Sequence, residues 1–452
     1  MSDIDYRRSC AKNKETDHSQ TVGKEGPVLI QDSVLHETLE KFIYERDIPR
    51  AVHTKGYGAF GYFKTLNSMS AYTKACFLQR PGQIVETFSR FSLAVSERAT
   101  PDTLRNVRGF STKFYTGEGN FDLLCNHLPI FLVRDGMKFP KSIHSLEPSP
   151  VNNLSSPVSF WKFVSENPEA MNFVTWLYTD LGTIDNLRCI RTYGVNTYVW
   201  VNREGKRTYV KYHWIPLAGQ RTIDRQTAVR LAGENPDIAG EDLYKTLESG
   251  KTVEYNLCVQ LMDPCKAKDM PFDVLDDTKV WDENEFPLQL VGRLVLKCNP
   301  KNYKWQVEKS GFSPANLVEG IELSNDKMLQ GRSFIYWDAQ RRRIGAEFRD
   351  IPVNHSENWE PGKLVTSGNG ECAKGVLQRS DIRKTEDFFQ AGQFYRTLSD
   401  EEKAHLVDNM AVELYQVPLQ IQTCILEYLG NADCKYKEAV EKRICWYQNR
   451  KS

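Results

Sequence analysis

The 452 residues carry 59 Lys plus Arg against 59 Asp plus Glu, so no net field draws the chain to nucleic acid or to an anionic membrane surface. Mean hydropathy is −0.52, no apolar run approaches the roughly 18 residues of a membrane span, and the opening MSDIDYRRSCAKNK has no apolar centre of the secretory kind. Neither nucleic acid nor membrane is expected as a partner, and the cytoplasm is the expected compartment. The 11 cysteines form no C-x-x-C pair and the 8 histidines no H-x-x-x-H or H-x-H pair, which reads as reduced thiols and speaks against a zinc framework.

In chain order, residues 1–45 are expected to form an N-terminal arm, the first 25 of them without apolar periodicity. Residues 46–300 alternate short β-rich runs (GAFGYFK, GFSTKFYT, LPIFLVRD, TYVWVN, TYVKYHW, EYNLCVQLM, LVGRLVLK) with turns, the pattern of a closed barrel. Helical spacing marks PVSFWKFVSENPEAMNFVTWLYTD and DRQTAVRLAGENP, which would pack outside or between strands. Residues 301–385 are rich in Pro, Gly, Asn and Ser and read as a segment wrapping the barrel, with one helix at 325–345. From 386 to 452 amphipathic patterns (LSDEEKAHLVDNMAVELY, PLQIQTCILEYLG, KYKEAVEKRICWYQ) predict a small helical domain.

Two stretches carry chemistry. GYGAFG at 56–61 satisfies G-x-G-x-x-G, yet a dinucleotide site needs a strand before it and a helix after it, and here the strand-like YFKTL follows. His53 stands just ahead of those glycines, where backbone can approach something bulky; a satisfied structural histidine fits as well. In RSFIYWDAQRRRIG, residues Arg332, Tyr336, Gln340 and Arg343 are spaced four, four and three apart and share one helix face. Ser324 and Asp326 suit its start and Gly345 its end. Tyr336 fits a core tyrosine between solvent-reaching arginines. It also fits an ionised phenol stabilised by Arg332, a hard anionic ligand for a haem iron, with Arg343 in reach of a haem propionate.

RAVHTKGYGAFGYF, RFSLAVSERATPDTLRNVRGFSTKFYTGEGNFDLLCNHLPIFLVRD and SNDKMLQGRSFIYWDAQRRRIG resemble the distal, barrel and proximal segments of the monofunctional haem catalases, and the likeness runs from GPVLIQD at 26 to the C-terminal helices. The resemblance implies an α+β fold: an antiparallel eight-stranded β-barrel with an N-terminal arm, a wrapping loop and a C-terminal helical domain. It implies haem b and disproportionation of hydrogen peroxide through a ferryl intermediate. His53 then matches the distal base, Asn126 the amide that orients peroxide, Ser92 the hydroxyl on the histidine and Val52 the constriction above the iron. Tyr336 matches the axial tyrosinate, a ligand inherited from the family likeness, and Arg332 its stabiliser. Arg50, Arg90 and Arg343 match propionate partners, and Phe131 and Phe139 pocket aromatics, Phe139 stacking on the porphyrin. A homo-oligomer, tetramer or dimer, is implied as well.

The sequence departs from the family pattern in several places. Trp337 follows the axial tyrosine where Pro or His is usual, Asn196 stands for a histidine linking the proximal arginine to Asp326, and Asn106 stands for an acidic residue of the access channel. Positions matching cationic NADPH partners are Asn172, Leu181, Ile215 and Glu283, while Tyr193 and Trp281 survive, so NADPH binding is not expected. The wrapping region after IPVNHSEN is short. A catalase-related peroxidase, a fatty-acid hydroperoxide isomerase and a haem-binding protein of low activity stay open beside the catalase reading; Val52, where isomerase-like relatives carry threonine, favours catalase.

Overall fold

A computed structural model describes residues 18–45, 47–356, 375–382 and 386–450. The described residues up to 49 form one compact unit and those from 50 onward another. In the first, the helix Ser33–Tyr44 is capped by Asp32, whose carboxylate accepts from the Leu35 N–H at 3.1 Å, and none of its residues is buried.

In the second unit the strands are β1 (Gly56–Thr65), β2 (Ile84–Leu93), β3 (Arg108–Thr116), β4 (Gly119–Asn126), β5 (Thr192–Tyr193), β6 (Tyr198–Val201), β7 (Arg207–Pro216), β8 (Val253–Met262), β9 (Gln289–Cys298) and β10 (Ile321–Leu323). They hydrogen-bond in the order β10-β6-β7-β5-β4-β3-β2-β1-β9-β8, all antiparallel, and β8 returns to β7. Eight strands, β7-β5-β4-β3-β2-β1-β9-β8, thus close on themselves, and β6 and β10 extend the wall from β7. This is the expected eight-stranded barrel, and the GYGAFG run lies inside β1 with no helix behind it.

Alternation sorts side chains to the two faces of the wall. Phe91, Phe110, Phe114, Leu123, Cys125, Tyr212 and Trp214 fill the interior, each large apolar side chain worth about 1.5–3 kcal/mol when fully buried. Phe88 and Leu124 face the other way and pack with Val307, Phe312 and Val353, and Tyr336 lies against this outer cluster. The proximal helix therefore docks on the outside of the barrel wall.

Helices form at Pro157–Glu166, Met171–Tyr178 and Arg225–Glu234, as the apolar spacing predicts, and also at Ile238–Glu248 and Phe389–Thr397. The C-terminal patterns become Asp400–Leu414, Leu419–Ala432 and Cys434–Asn449; the first starts on a Ser399/Glu402 capping box. One expectation fails. LPIFLVRD is no strand: Leu128, Ile130, Leu132 and Val133 are buried in a cluster shared with these helices, so burial against helices and not sheet pairing explains the apolar run. The short wrapping region after IPVNHSEN falls mostly outside the described residues. Among the described residues no helix is long and apolar enough to cross a membrane.

Candidate active site

Strand register lays Gly56, Ser92, Gly109, Asn126 and Tyr193 in one row across five strands, each the partner of the next. His53 sits over this row. Its φ of 63° is left-handed, a conformation few non-glycine residues adopt. Its N–H donates to the Ala94 carbonyl at 2.8 Å, and its Nδ1 lies 2.9 Å from Ser92 Oγ. Gly109 makes room for the ring: a Cβ there would stand 2.8 Å from Nδ1, from Cε1 and from Ser92 Oγ. Burial first, and then the Arg90, Arg332 and Arg50 cations, push the His53 pKa down to about 3, so the imidazole is neutral at ordinary pH. Val52 and Asn126 are half-buried beside it in sequence and in the row.

The second component is the helix Lys327–Ile344, two residues shorter at its start and one at its end than expected. The Asp326 carboxylate accepts from the N–H groups of Met328 and Leu329 at 2.9 and 3.0 Å, and Gly345, at φ 122°, ends the helix. Asn196 Nδ2 donates to Asp326 Oδ2 at 2.7 Å, Arg332 donates through Nη1 to Asn196 Oδ1, and its Nη2 donates to the Tyr336 phenol oxygen at 3.2 Å. Asn196 thus replaces the family histidine without breaking the link, because its amide offers a donor to the carboxylate and an acceptor to the guanidinium. Burial opposes the Arg332 cation, but Tyr336, Tyr198 and Asp277 outweigh it and raise its pKa above the usual arginine value. Asn196 is presented by a γ-turn: Val195 has φ 61° and the Asn196 N–H donates to the Gly194 carbonyl at 2.7 Å. A β-branched residue in that conformation stores strain.

Three guanidinium groups gather nearby. Arg50 Nη2 donates to the carbonyls of Val307, Glu308 and Ser310 at 3.1, 2.9 and 3.0 Å, and Nη1 lies 3.2 Å from the Glu308 carboxylate. Arg343 donates to the Glu308 carbonyl, to the Ser310 carbonyl at 2.8 Å and to Gln340 Oε1 at 2.7 Å. Arg90 donates to the carbonyls of His53 and Thr54, each at 3.0 Å. Burial, then Arg50, and further Arg343 bring the Arg90 pKa down to about 9. Such mutual repulsion beside the Glu308 carboxylate, with Arg90 Nε buried and without a hydrogen-bond partner, fits a ligand that brings carboxylates of its own. Phe131 and Phe139, half-buried, stack with centroids 6.1 Å apart. Cations for its acidic side groups, aromatic walls for its apolar body and a phenol oxygen beside a fixed cation are together what a haem requires of its protein.

Other departures also have clear surroundings. Trp337 donates through Nε1 to Asn316 Oδ1 at 3.4 Å and carries the Arg349 guanidinium 4.4 Å over its ring. Asn106 pairs with the Val95 backbone in both directions, at 2.6 and 3.3 Å. Asn172 is buried and donates to the Thr278 carbonyl at 3.0 Å. Glu283 pairs with Arg191, whose guanidinium lies 5.0 Å over the Tyr193 ring, and Trp281 is buried. Sequence reasoning missed the roles of Gly56, Gly109 and Val195; the positive φ and the missing side chains that matter there leave no periodic signal.

A family model described as Catalase matches residues 7–380, and one described as Catalase-related immune-responsive matches residues 381–444. The chain belongs to the catalase family. It is 36% identical over 462 residues to a catalase of Vibrio vulnificus, covering 95% of this chain and 91% of that one. It is 38% identical over 426 residues to a catalase of Listeria seeligeri, covering 88% and 87%. Catalase A of Saccharomyces cerevisiae superposes with a TM-score of 0.90 at 32% identity, over 96% of this chain and 97% of that one. As a family member the protein is a haem-dependent oxidoreductase that disproportionates hydrogen peroxide to water and dioxygen.

Proposed function

We propose that this reaction runs between His53 and Tyr336, with haem b as the resident group. When bound, haem supplies an iron that one peroxide oxidises and the next reduces, chemistry no side chain here offers. Tyr336 would hold the iron through its phenol oxygen. Arg332, hydrogen-bonded to its oxygen and backed by Asn196 and Asp326, would keep a fixed cation beside that oxygen. Arg50, Arg90 and Arg343 would hold the propionates, and Phe131 and Phe139 would supply apolar walls for the porphyrin. Neutral His53 takes a proton at Nε2 from the inner oxygen of peroxide and returns it to the outer one, so that water leaves. For Nε2 to be the free nitrogen, Nδ1 must carry the ring proton and donate it to Ser92 Oγ, and their 2.9 Å separation supports this. Asn126, in the same row, orients peroxide, and Val52 narrows the approach.

The observation that carries the reading is the chain Asp326–Asn196–Arg332–Tyr336, which has no structural need for a guanidinium on a phenol oxygen. Its test is an oxygen electrode. Haem-loaded protein should release dioxygen at half the moles of peroxide consumed with no added donor, whereas a peroxidase or hydroperoxide isomerase would release almost none.

Stable NADPH binding is not part of this reading: Asn172 and Glu283 are engaged internally, and Leu181 and Ile215 offer phosphates nothing. Equilibrium dialysis with NADPH should show no retention. A cytoplasmic setting is supported by the described cysteines, all free thiols, and a homo-oligomer by the exposed Leu39, Phe42, Ile43 and Tyr44 of the arm. For domains, the reading is arm 1–45, barrel 46–300, wrapping segment 301–385 and helical domain 386–452.

A further inference from the structure

Four features converge on the backbone of His53. Its φ of 63° is strained for a residue with a Cβ. The Arg90 guanidinium reaches the carbonyl oxygens of His53 and of Thr54 with its two terminal nitrogens, at 3.0 Å each. Arg90 itself is only 4% exposed. Gly56 leaves the space that group occupies: a Cβ there would stand 2.5 Å from Arg90 Cζ and 2.6 Å from Nη2. Gly58 is the strand partner of Arg90 and Gly56 the partner of Ser92, so Arg90 stands two residues along β2 from the row that carries Ser92 and Asn126.

We propose that Arg90 is a positioning residue for the peroxide reaction, holding the left-handed turn that aims the His53 imidazole by a bidentate grip on the carbonyls of residues 53 and 54. Nε of the Arg90 guanidinium, buried and without a hydrogen-bond partner in the protein, stays open to a haem carboxylate, so gripping the turn and binding a propionate use different nitrogens. Fork geometry is the reason for arginine: a lysine keeps the charge but offers a single point, which cannot span two successive carbonyls. The inference rests on His53 being the base.

The test is a double-mutant cycle on haem-loaded enzyme, with a crystal structure of the parent holoenzyme beside it. Arg90→Lys should load haem with the parental absorption spectrum and lose about 100-fold in kcat/KM for peroxide, the scale of a misplaced catalytic group. In a His53→Ala background the same change should cost less than about twofold, since the two act through one another. Equal losses in both backgrounds, or full turnover per haem in Arg90→Lys, would overturn the proposal. A holoenzyme crystal with both terminal nitrogens turned onto haem carboxylates would overturn it too, even if the variant failed to fold. Failure of the base assignment shows separately, as His53→Ala with undiminished turnover.

Discussion

At the scale of single residues, the electrostatics around His53 set the pH behaviour. Its folded pKa, about 3, lies below the ordinary 6.5, so between those values the unfolded chain binds the proton and the folded one does not. The contribution of this residue to stability is therefore present above pH 6.5 and lost as pH falls toward 3. Turnover should follow the same group: flat from about pH 5 to 9 and failing only on approach to pH 3, read by initial rates in an oxygen electrode. His53→Ala should keep haem absorbance and lose about 10²–10⁴-fold in turnover. On the proximal side Asn196→Ala removes the bridge and leaves the buried Asp326 and Arg332 short of a partner, which should cost about 1–3 kcal/mol in chemical denaturation. The residue types at these points were legible, since His53, Ser92, Asn126, Arg332 and Tyr336 stand in quotable segments. Their backbone support was not: the γ-turn at Val195 and the space above Gly109 depend on register, which no spacing in the sequence discloses.

Among the elements, the β3–β4 hairpin is tied to the segment before the proximal helix through the buried carboxylate of Asp122. Lys113 Nζ lies 2.7 Å from Asp122 Oδ1 with both side chains fully buried, and Asp122 also accepts from the Ser313 N–H at 3.0 Å and from Asn316 Nδ2 at 2.7 Å. Asp122→Asn leaves a buried cation without its counter-ion and should destabilise the protein by about 3–5 kcal/mol, measured by denaturant unfolding. The proximal helix was readable because Asp326 and Gly345 are a cap and a stop with distinct side-chain chemistry. β2 and β4 went unread because their outward residues, Arg90, Ser92 and Asp122 among them, are polar yet buried, so alternation of polar and apolar no longer marked an exposed face. LPIFLVRD was misread for the converse reason: an apolar run says buried, and burial against helices looks the same as burial in a sheet.

For the whole molecule, the barrel wall acts as a platform: aromatic side chains fill its interior, and the proposed site lies on its outer face between β1–β4 and the helix that carries Tyr336. That layout explains why distal and proximal residues lie nearly three hundred positions apart in sequence yet share one electrostatic field, with Arg332 on the helix felt at His53. The account stands on the phenol of residue 336 binding the iron. Resonance Raman and absorption spectra of haem-loaded parent and Tyr336→Phe test this directly. Phenolate bands in the parent, and in Tyr336→Phe their loss together with a shifted spectrum or lost haem, are predicted; an unchanged spectrum in Tyr336→Phe would contradict it.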